Sequence, residues 1–197
     1  MQCQRLARFG RVATMLPMRQ IADDKRVAEL VDRLAEQIER QVSRRSEPGG
    51  LALVGIRSRG DVLAERLAQR LQPDHVGSLD ITLYRDDLSE IGPQPVVRTS
   101  DIPFGLDGLN VVLVDDVLMT GRSVRAALQS LMDLGRPRRV WLAVLVDRGG
   151  RELPIAPDCV ALDLRPEAGD EAAAIQPGER VEVHLKPTDP TDQIVVR

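Results

Sequence analysis

The segment at residues 111–123 constrains the fold of this chain more than any other. It reads VVLVDDVLMTGRS: four apolar residues, two adjacent acids, a turn with a hydroxyl and a glycine, and the start of a helix. A continuous apolar run of this kind is typical of a strand that is covered on both faces, as in a parallel sheet. The apolar positions that follow have helical spacing: Val124, Ala127, Leu128, Leu131 and Leu134. The segment therefore predicts a strand, a turn and a helix in succession.

The polar residues of this segment lie where open α/β sheets bind their ligands. Asp115 and Asp116 come at the carboxyl end of the predicted strand, where carboxylates can accept hydrogen bonds from sugar hydroxyls. The turn at Thr120 and Gly121 precedes a helix N-terminus, whose free N–H groups and dipole favour phosphate. Together these features predict a ribose-phosphate site. The alternative is that the acids cap an ordinary loop, since receiver domains and metal-dependent phosphatases also place an acid pair after a strand.

Apolar strands and amphipathic helices alternate along the chain, which predicts an α/β fold with a mostly parallel central sheet flanked by helices. Asp23 and Asp24 open the first predicted helix, and Asp61 caps the second. The predicted helices span residues 24–41, 61–71 and 124–134. The predicted strands span residues 51–56, 76–84, 111–114 and 139–146, with two shorter ones beyond the main sheet at 159–164 and 180–185.

One domain is expected over residues 19–187, because its strands and helices follow each other without a linker. Residues 1–18 are basic but carry no continuous apolar core, so we expect a disordered tail or a start codon assigned too early. Residues 188–197 are expected to form a second tail. The long connection at residues 85–110 is rich in Asp, Pro and Gly, and connections of this length are usually functional.

The composition excludes several classes of function. Apolar residues make up 43% of the 197 residues, which is enough for a substantial core. Aromatic residues make up 2%, so aromatic platforms that stack RNA bases are not expected. The net charge of −3 argues against a protein dominated by nucleic-acid binding. Two cysteines suggest neither a disulfide framework nor a metal site, and Cys159 is predicted to be a buried core residue. The lack of a long apolar run predicts a cytoplasmic protein without a transmembrane helix.

Three further stretches extend the pattern. They read VGIRSRG at residues 54–60, DITLYRDDL at 80–88 and LVDRGGRELPI at 145–155. With the segment at 111–123 they resemble the bifunctional pyrimidine operon attenuator and uracil phosphoribosyltransferase family, a branch of the type I phosphoribosyltransferases. The resemblance covers roughly residues 20–187. It implies the type I phosphoribosyltransferase fold, with a small hood of short strands beside the central sheet.

The resemblance implies that uracil and 5-phosphoribosyl 1-diphosphate (PRPP) react to give uridine monophosphate (UMP) and diphosphate. Mg²⁺ would be carried by the substrate rather than by protein ligands alone. By resemblance Asp115 and Asp116 bind the ribose hydroxyls, and Arg85 belongs to a loop that closes over the substrate; these three are the catalytic candidates. Arg148 is a candidate contact to the base or the phosphates, unless it forms an ordinary strand-end salt bridge. The candidate PRPP-binding residues are Ser58, Arg59, Gly60, Val117, Leu118, Met119, Thr120, Gly121, Arg122 and Ser123.

The residue at position 119 helps to predict whether the substrate is a 6-oxopurine or a pyrimidine. Enzymes of this superfamily that act on 6-oxopurines carry an acid immediately before the Thr-Gly of the motif, and this chain carries Met119 there. A thioether cannot exchange a proton, which argues against a hypoxanthine or guanine enzyme. The attenuator family commonly has Tyr at this position, so Met119 also departs from that pattern.

A second function, RNA binding, is also implied by the resemblance, because regulatory members bind an mRNA leader hairpin when nucleotide is present. Arg26, Arg33 and Arg40 recur every seven residues and share one helix face, which makes them the candidate RNA contacts. Acidic residues interleave with them, and a mixed charged face is often merely solvated. The acidic insert at residues 165–178 replaces the usual hood sequence. A weakly catalytic nucleotide sensor and a transferase for another base are the alternatives, and a homodimer or homotetramer is expected.

Overall fold

The protein is an α/β structure with one parallel and one antiparallel sheet. The computed structural model describes residues 18–44, 48–82, 100–168, 175 and 178–197. In that part of the chain, a five-stranded parallel sheet has the order β3-β2-β4-β5-β6, and a three-stranded antiparallel sheet has the order β1-β8-β7. The predicted fold class, with its small hood of short strands, is confirmed. The elements are β1 (Arg19–Ala22), α1 (Asp24–Ser43), β2 (Leu51–Ile56), α2 (Gly60–Leu71), β3 (His75–Leu79), β4 (Asn110–Leu118), α3 (Arg122–Leu134), β5 (Arg139–Asp147), β6 (Cys159–Asp163), a 3₁₀ turn (Pro166–Ala168), β7 (Val181–His184) and β8 (Gln193–Val196).

The central strand β4 is buried on both faces, as its continuous apolar sequence predicts. Val112 and Val114 face a core that α1, α2 and the small sheet complete. Val111 and Leu113 face the opposite core, which is covered by α3. The helices α1, α2 and α3 each bury one apolar stripe. Near its carboxyl end α3 also exposes Met132 and Leu134. No helix in the described ranges is long and apolar enough to cross a membrane.

Cys159, the first residue of β6, is a core residue as predicted. It is 3% exposed and packs in the core between the sheet, α1 and α2. Burial raises the pKa of its thiol to about 11. The side chain therefore stays protonated at neutral pH and behaves as a small apolar group.

The structure differs from the sequence predictions at the element ends and in the assignment of one strand. The second helix begins at Gly60, with Arg59 rather than Asp61 at the N-cap. The strand predicted at 76–84 ends at Leu79, and residues 83–99 lie outside the described part. The strand predicted at 159–164 belongs to the main sheet, parallel to β5, whereas we expected it beyond that sheet. Residues 188–197, expected to be a tail, contain β8.

A side chain of α1 completes the hydrogen bonding of the edge strand β6. The amide Nε2 of Gln37 donates to the carbonyl oxygen of Val160 at 2.8 Å. The backbone N–H of Val160 donates in return to Gln37 Oε1 at 2.9 Å. This pair reproduces the two bonds that a further strand would make, and it fixes α1 to the edge of the sheet.

We predict that Gln37→Leu lowers the free energy of unfolding by about 1–3 kcal/mol, because two half-buried backbone groups lose their partners. Urea denaturation followed by circular dichroism measures the change. Glu39→Ala is the matched control, since Glu39 is exposed on the same helix. Equal stability of the two variants would contradict this role for Gln37.

Candidate active site

Asp115 and Asp116 lie within β4, near its carboxyl end. The sequence predicts acids that follow the strand, but β4 continues through them to Leu118. Asp115 is 6% exposed and Asp116 is half-buried. The backbone N–H of Asp116 donates to Asp115 Oδ1 at 3.0 Å, and that of Val117 donates to Asp116 Oδ1 at 2.9 Å. Each carboxylate is thus held in place by the amide that follows it.

Burial changes the titration of both acids. Burial raises the pKa of Asp115 well above the usual range of an aspartate, and the adjacent charge of Asp116 raises it further. Burial also raises the pKa of Asp116, while the guanidinium of Arg59 acts in the opposite direction. The cause is that two negative charges are removed from water side by side. A cation at this site would relieve that cost, so the pair is suited to a metal-bearing substrate or to a developing positive charge.

The turn after β4 presents backbone amides at the start of α3. Gly121 is the N-cap of the helix and has φ +89°, a conformation that glycine adopts without strain. Glycine offers no side chain to cap the helix, so in the described part of the chain the N–H groups of the first turn other than that of Arg122 have no capping side chain and can bind an anion. The Thr120 hydroxyl oxygen accepts from the N–H of Arg122 at 3.3 Å, and the Thr120 carbonyl accepts from Glu152 and Leu153 at 3.0 Å. Ser123, another residue of the predicted cradle, is half-buried in the first turn of α3.

Arg151 holds the turn after β4 through side-chain hydrogen bonds, a role that the sequence analysis did not predict. Its Nη1 donates to the carbonyl of Met119 at 2.8 Å, and its Nε donates to the carbonyl of Ile155 at 2.9 Å. Its Nη2 binds the carboxylate of Asp147 at 2.5 Å, and Asp147 is 1% exposed. In the sequence, only the separation of four residues between Asp147 and Arg151 could have indicated their ion pair. The contact of Arg151 with the carbonyl of Met119, 32 residues away, has no pattern in the sequence that would predict it.

The loop between β2 and α2 lies beside the acids. The peptide bond between Arg57 and Ser58 is cis, and Ser58 is exposed. A Cβ at Gly60 would lie 2.5 Å from the carbonyl oxygen of Val114, so only glycine fits there without displacement. Arg59 therefore sits next to the end of β4. Its guanidinium binds Asp189, with Nε–Oδ2 and Nη2–Oδ1 distances of 2.8 and 2.9 Å.

Arg148 lies against Met119 at the carboxyl end of β5. Its Nη1 is 2.8 Å from the Met119 sulfur, and its backbone N–H donates to the carbonyl of Leu118 at 3.1 Å. The Nε of Arg148 is buried without a hydrogen-bond partner among the described residues. The neighbouring Asp147 binds Arg151 and lies 3.8 Å from Arg165. A contact of Arg148 with the base or the phosphates stays a prediction.

The fold brings most of the predicted PRPP-binding residues to the carboxyl ends of the parallel strands. The loops after β2, β4 and β5 meet there, with Arg122 paired to Glu152 at 2.7 Å on the outer side. Arg85 lies outside the described residues. The RNA candidates are exposed on α1, where Arg26 pairs with Glu29 and Arg40 pairs with Glu36.

The acid pair is compatible with Mg²⁺ bound through a substrate. Across the described ranges, no group of three or more His, Cys, Asp or Glu residues could hold a metal ion by itself. Two adjacent carboxylates without a third protein ligand match the preference of Mg²⁺ for water and substrate oxygens. Asp115 and Asp116 are the residues that would face such an ion.

Comparison with known proteins agrees with this geometry. Residues 17–179 match the family model of the phosphoribosyl transferase domain. The bifunctional protein PyrR of Pelotomaculum thermopropionicum is 46% identical over 182 residues, covering 90% of this chain and 94% of that protein. The bifunctional protein PyrR of Deinococcus deserti is 49% identical over 178 residues, covering 88% and 90%.

A solved structure shares the fold. The hypoxanthine phosphoribosyltransferase of Trypanosoma cruzi has a TM-score of 0.64 at 16% identity, over 90% of this chain and 95% of that chain. At this identity the likeness concerns the fold alone. The resemblance drawn from the four sequence blocks is confirmed by the relatives: this chain belongs to the phosphoribosyltransferase family and, within it, to the bifunctional PyrR proteins.

Proposed function

We propose that the protein is a uracil phosphoribosyltransferase, which forms UMP and diphosphate from uracil and PRPP. The observation that carries the proposal is the pair Asp115 and Asp116, which is followed by the turn with the N-cap Gly121 and by helix α3 from Arg122. Acids suited to ribose hydroxyls are thus followed closely by backbone amides suited to a phosphate. Family membership supports the transferase activity.

In this proposal the substrate is held by the acids of β4 and by the two loops that follow β2 and β4. Asp115 and Asp116 accept hydrogen bonds from the ribose hydroxyls, and the backbone N–H groups of residues 118–123 bind the 5-phosphate together with the Thr120 and Ser123 hydroxyls. Arg59 and the backbone of Ser58 and Gly60 bind the diphosphate. Mg²⁺, bound to diphosphate and ribose oxygens near the acid pair, would neutralise the charge of the leaving group.

The reaction is a displacement at the anomeric carbon of PRPP. The ring nitrogen of uracil forms the new bond to that carbon and gives up its proton, and the carbon–oxygen bond to diphosphate breaks. Positive charge develops on the ribose ring as the bond to diphosphate lengthens. In this proposal the carboxylates of Asp115 and Asp116 stabilise that charge. Burial raises the pKa of both acids, and a positively charged metal on the substrate would offset the cost of ionising them side by side.

Met119 and Arg148 lie at the mouth of the site and favour a pyrimidine over a 6-oxopurine. Met119 is 42% exposed and supplies no carboxylate to a purine ring nitrogen. Arg148 lies beside it, with Nη1 at 2.8 Å from the Met119 sulfur. We assign Arg148 to this side of the substrate, and Arg85 remains the candidate from the loop after β3.

A second function, nucleotide-dependent binding of an mRNA leader hairpin, is favoured by the exposed arginines of α1 and by the name "bifunctional" that the relatives carry. Arg26, Arg33 and Arg40 form a row on the helix. The ion pairs of Arg26 and Arg40 with glutamates are solvent-exposed and weak, so phosphates could replace them.

The enzyme proposal is tested by incubating the protein with PRPP, Mg²⁺ and one base at a time. We expect UMP from uracil and no nucleotide from hypoxanthine or guanine, measured by liquid chromatography. Binding of PRPP and UMP without turnover would instead identify a nucleotide sensor. If hypoxanthine or guanine gave a nucleotide and uracil did not, the role assigned to Met119 would be wrong.

We predict that Asp115→Asn lowers transfer at least about 100-fold, because a neutral amide cannot stabilise positive charge. The same change should increase the free energy of unfolding at pH 7. The raised pKa of Asp115 means that the folded state binds more protons than the unfolded state between the ordinary and the raised pKa. Stability therefore falls as the pH rises through that window, and Asn does not titrate.

Thermal denaturation of the wild type and Asp115→Asn at several pH values measures this effect, with Asp133→Asn on the exposed end of α3 as the control. A less stable Asp115→Asn protein would show that its lost activity reflects damage to the fold.

For the RNA function, replacing Arg26, Arg33 and Arg40 together by Gln should weaken binding of the leader hairpin and reduce the slope of log affinity against log salt by about 3. Filter binding across a salt series, with UMP present, measures both. The rate of UMP formation serves as the control and should stay unchanged. An unaltered salt dependence would place the RNA contacts elsewhere.

A further inference from the structure

The turn between β7 and β8 is attached to α2 by two arginine–aspartate pairs. Arg59, at the start of α2, binds Asp189 through two hydrogen bonds of 2.8 and 2.9 Å. Arg66, seven residues further on, binds Asp192 through two hydrogen bonds of 2.6 and 2.9 Å. The pairs have the same chemistry, but Arg59 belongs to the loop beside the acid pair whereas Arg66 lies within the helix. They therefore form a natural comparison of a site contact with a purely structural one.

Asp189 is held firmly by its own turn. Its Oδ2 accepts from the backbone N–H of Leu185 at 2.8 Å, and its Oδ1 lies 3.4 Å from Nδ1 of His184. The carboxylate side chain is 11% exposed. The hydrogen bond from Arg59 holds the pKa of Asp189 well below the usual range of an aspartate. The residue is thus a fixed negative charge at neutral pH and not a mobile surface carboxylate.

Asp189 occupies one edge of the Arg59 guanidinium. The bonds use Nε and Nη2, which leaves the N–H groups of Nη1 on the other side of the planar group. Gly60, the next residue, packs against Val114, immediately before the acid pair. A Cβ at Gly60 would lie 3.3 Å from the Cα of Asp115, so the base of the Arg59 side chain lies near the acids. The charge of Arg59 also acts against the rise that burial causes in the pKa of Asp116. Arg59 is therefore anchored by Asp189 on a loop that lies beside the acid pair.

We propose that Asp189 is a positioning residue, which orients Arg59 so that its remaining N–H groups meet the diphosphate of PRPP. This inference rests on the proposed transferase function. An arginine on a loop samples many rotamers, and ordering it on binding weakens the affinity for the ligand. The bidentate contact with Asp189 fixes the side chain before the substrate arrives. The turn after β7, about 70 residues past the acid pair in sequence, thereby becomes part of the diphosphate site.

The test compares Asp189→Asn with Asp192→Asn in the full chain. Each substitution removes one charge from the same turn and weakens its attachment to the same helix. For Asp189→Asn we expect the KM for PRPP to rise about tenfold, with little change in the KM for uracil. For Asp192→Asn we expect both KM values to stay at the wild-type level. Asp189→Glu should recover part of the affinity, because the longer carboxylate can still bind Arg59.

The two melting temperatures show whether the variants fold, and calorimetric titration of Mg²⁺–PRPP measures binding without turnover. An Arg59→Gln, Asp189→Asn double variant should bind PRPP no more weakly than Arg59→Gln alone. Two results would overturn the proposal. A lower KM for PRPP in Asp189→Asn would show that Asp189 competes with diphosphate, and equal changes in Asp189→Asn and Asp192→Asn would show a structural role.

If the protein binds Mg²⁺–PRPP in calorimetric titrations but forms no UMP from uracil, the proposed enzyme activity is refuted. The affinities of the Asp189 variants for PRPP still test the role of Asp189 in that case.

Discussion

The contact between the first residue of α2 and Val114, just before the acids in β4, determines the geometry of the site. A Cβ at Gly60 would come within 2.5 Å of the Val114 carbonyl, so helix and strand are closer than any larger residue would allow. Because β2 and β4 are neighbouring parallel strands, this approach also brings the loop after β2 beside Asp115 and Asp116. The loop after β2, which carries Arg59, therefore lies close to the acid pair of β4 through the approach of the two backbones.

Local patterns in the sequence predicted the main sheet and its helices well. β2 has the predicted limits Leu51–Ile56, and α3 extends the predicted helix by two residues at its start. Each of these elements can be predicted from its own residues, because the apolar run or helical stripe that indicates it lies within the element. The same logic placed the acid pair directly after the strand, whereas β4 continues through both acids to Leu118 and Asp115 is buried.

Contacts between distant residues were not predictable in this way. β1 and β8 pair Arg19 with Val196, and neither strand has an apolar pattern long enough to indicate a partner so far along the chain. The same holds for Arg59, whose partner is 130 residues away. β6 was expected outside the main sheet because its sequence is short, yet tertiary packing against β5 and α1 places it at the sheet edge.

Gln37 has a consequence for how copies of the protein meet. An edge strand presents unpaired N–H and C=O groups, which can recruit a strand from another molecule and start aggregation. The amide of Gln37 occupies both outward-facing groups of Val160, the second residue of the five-residue strand β6. The remaining free edge is too short to template a new strand. A single helical side chain thus protects the parallel sheet against self-association along its edge, while the chain keeps an apolar strand there for its own core.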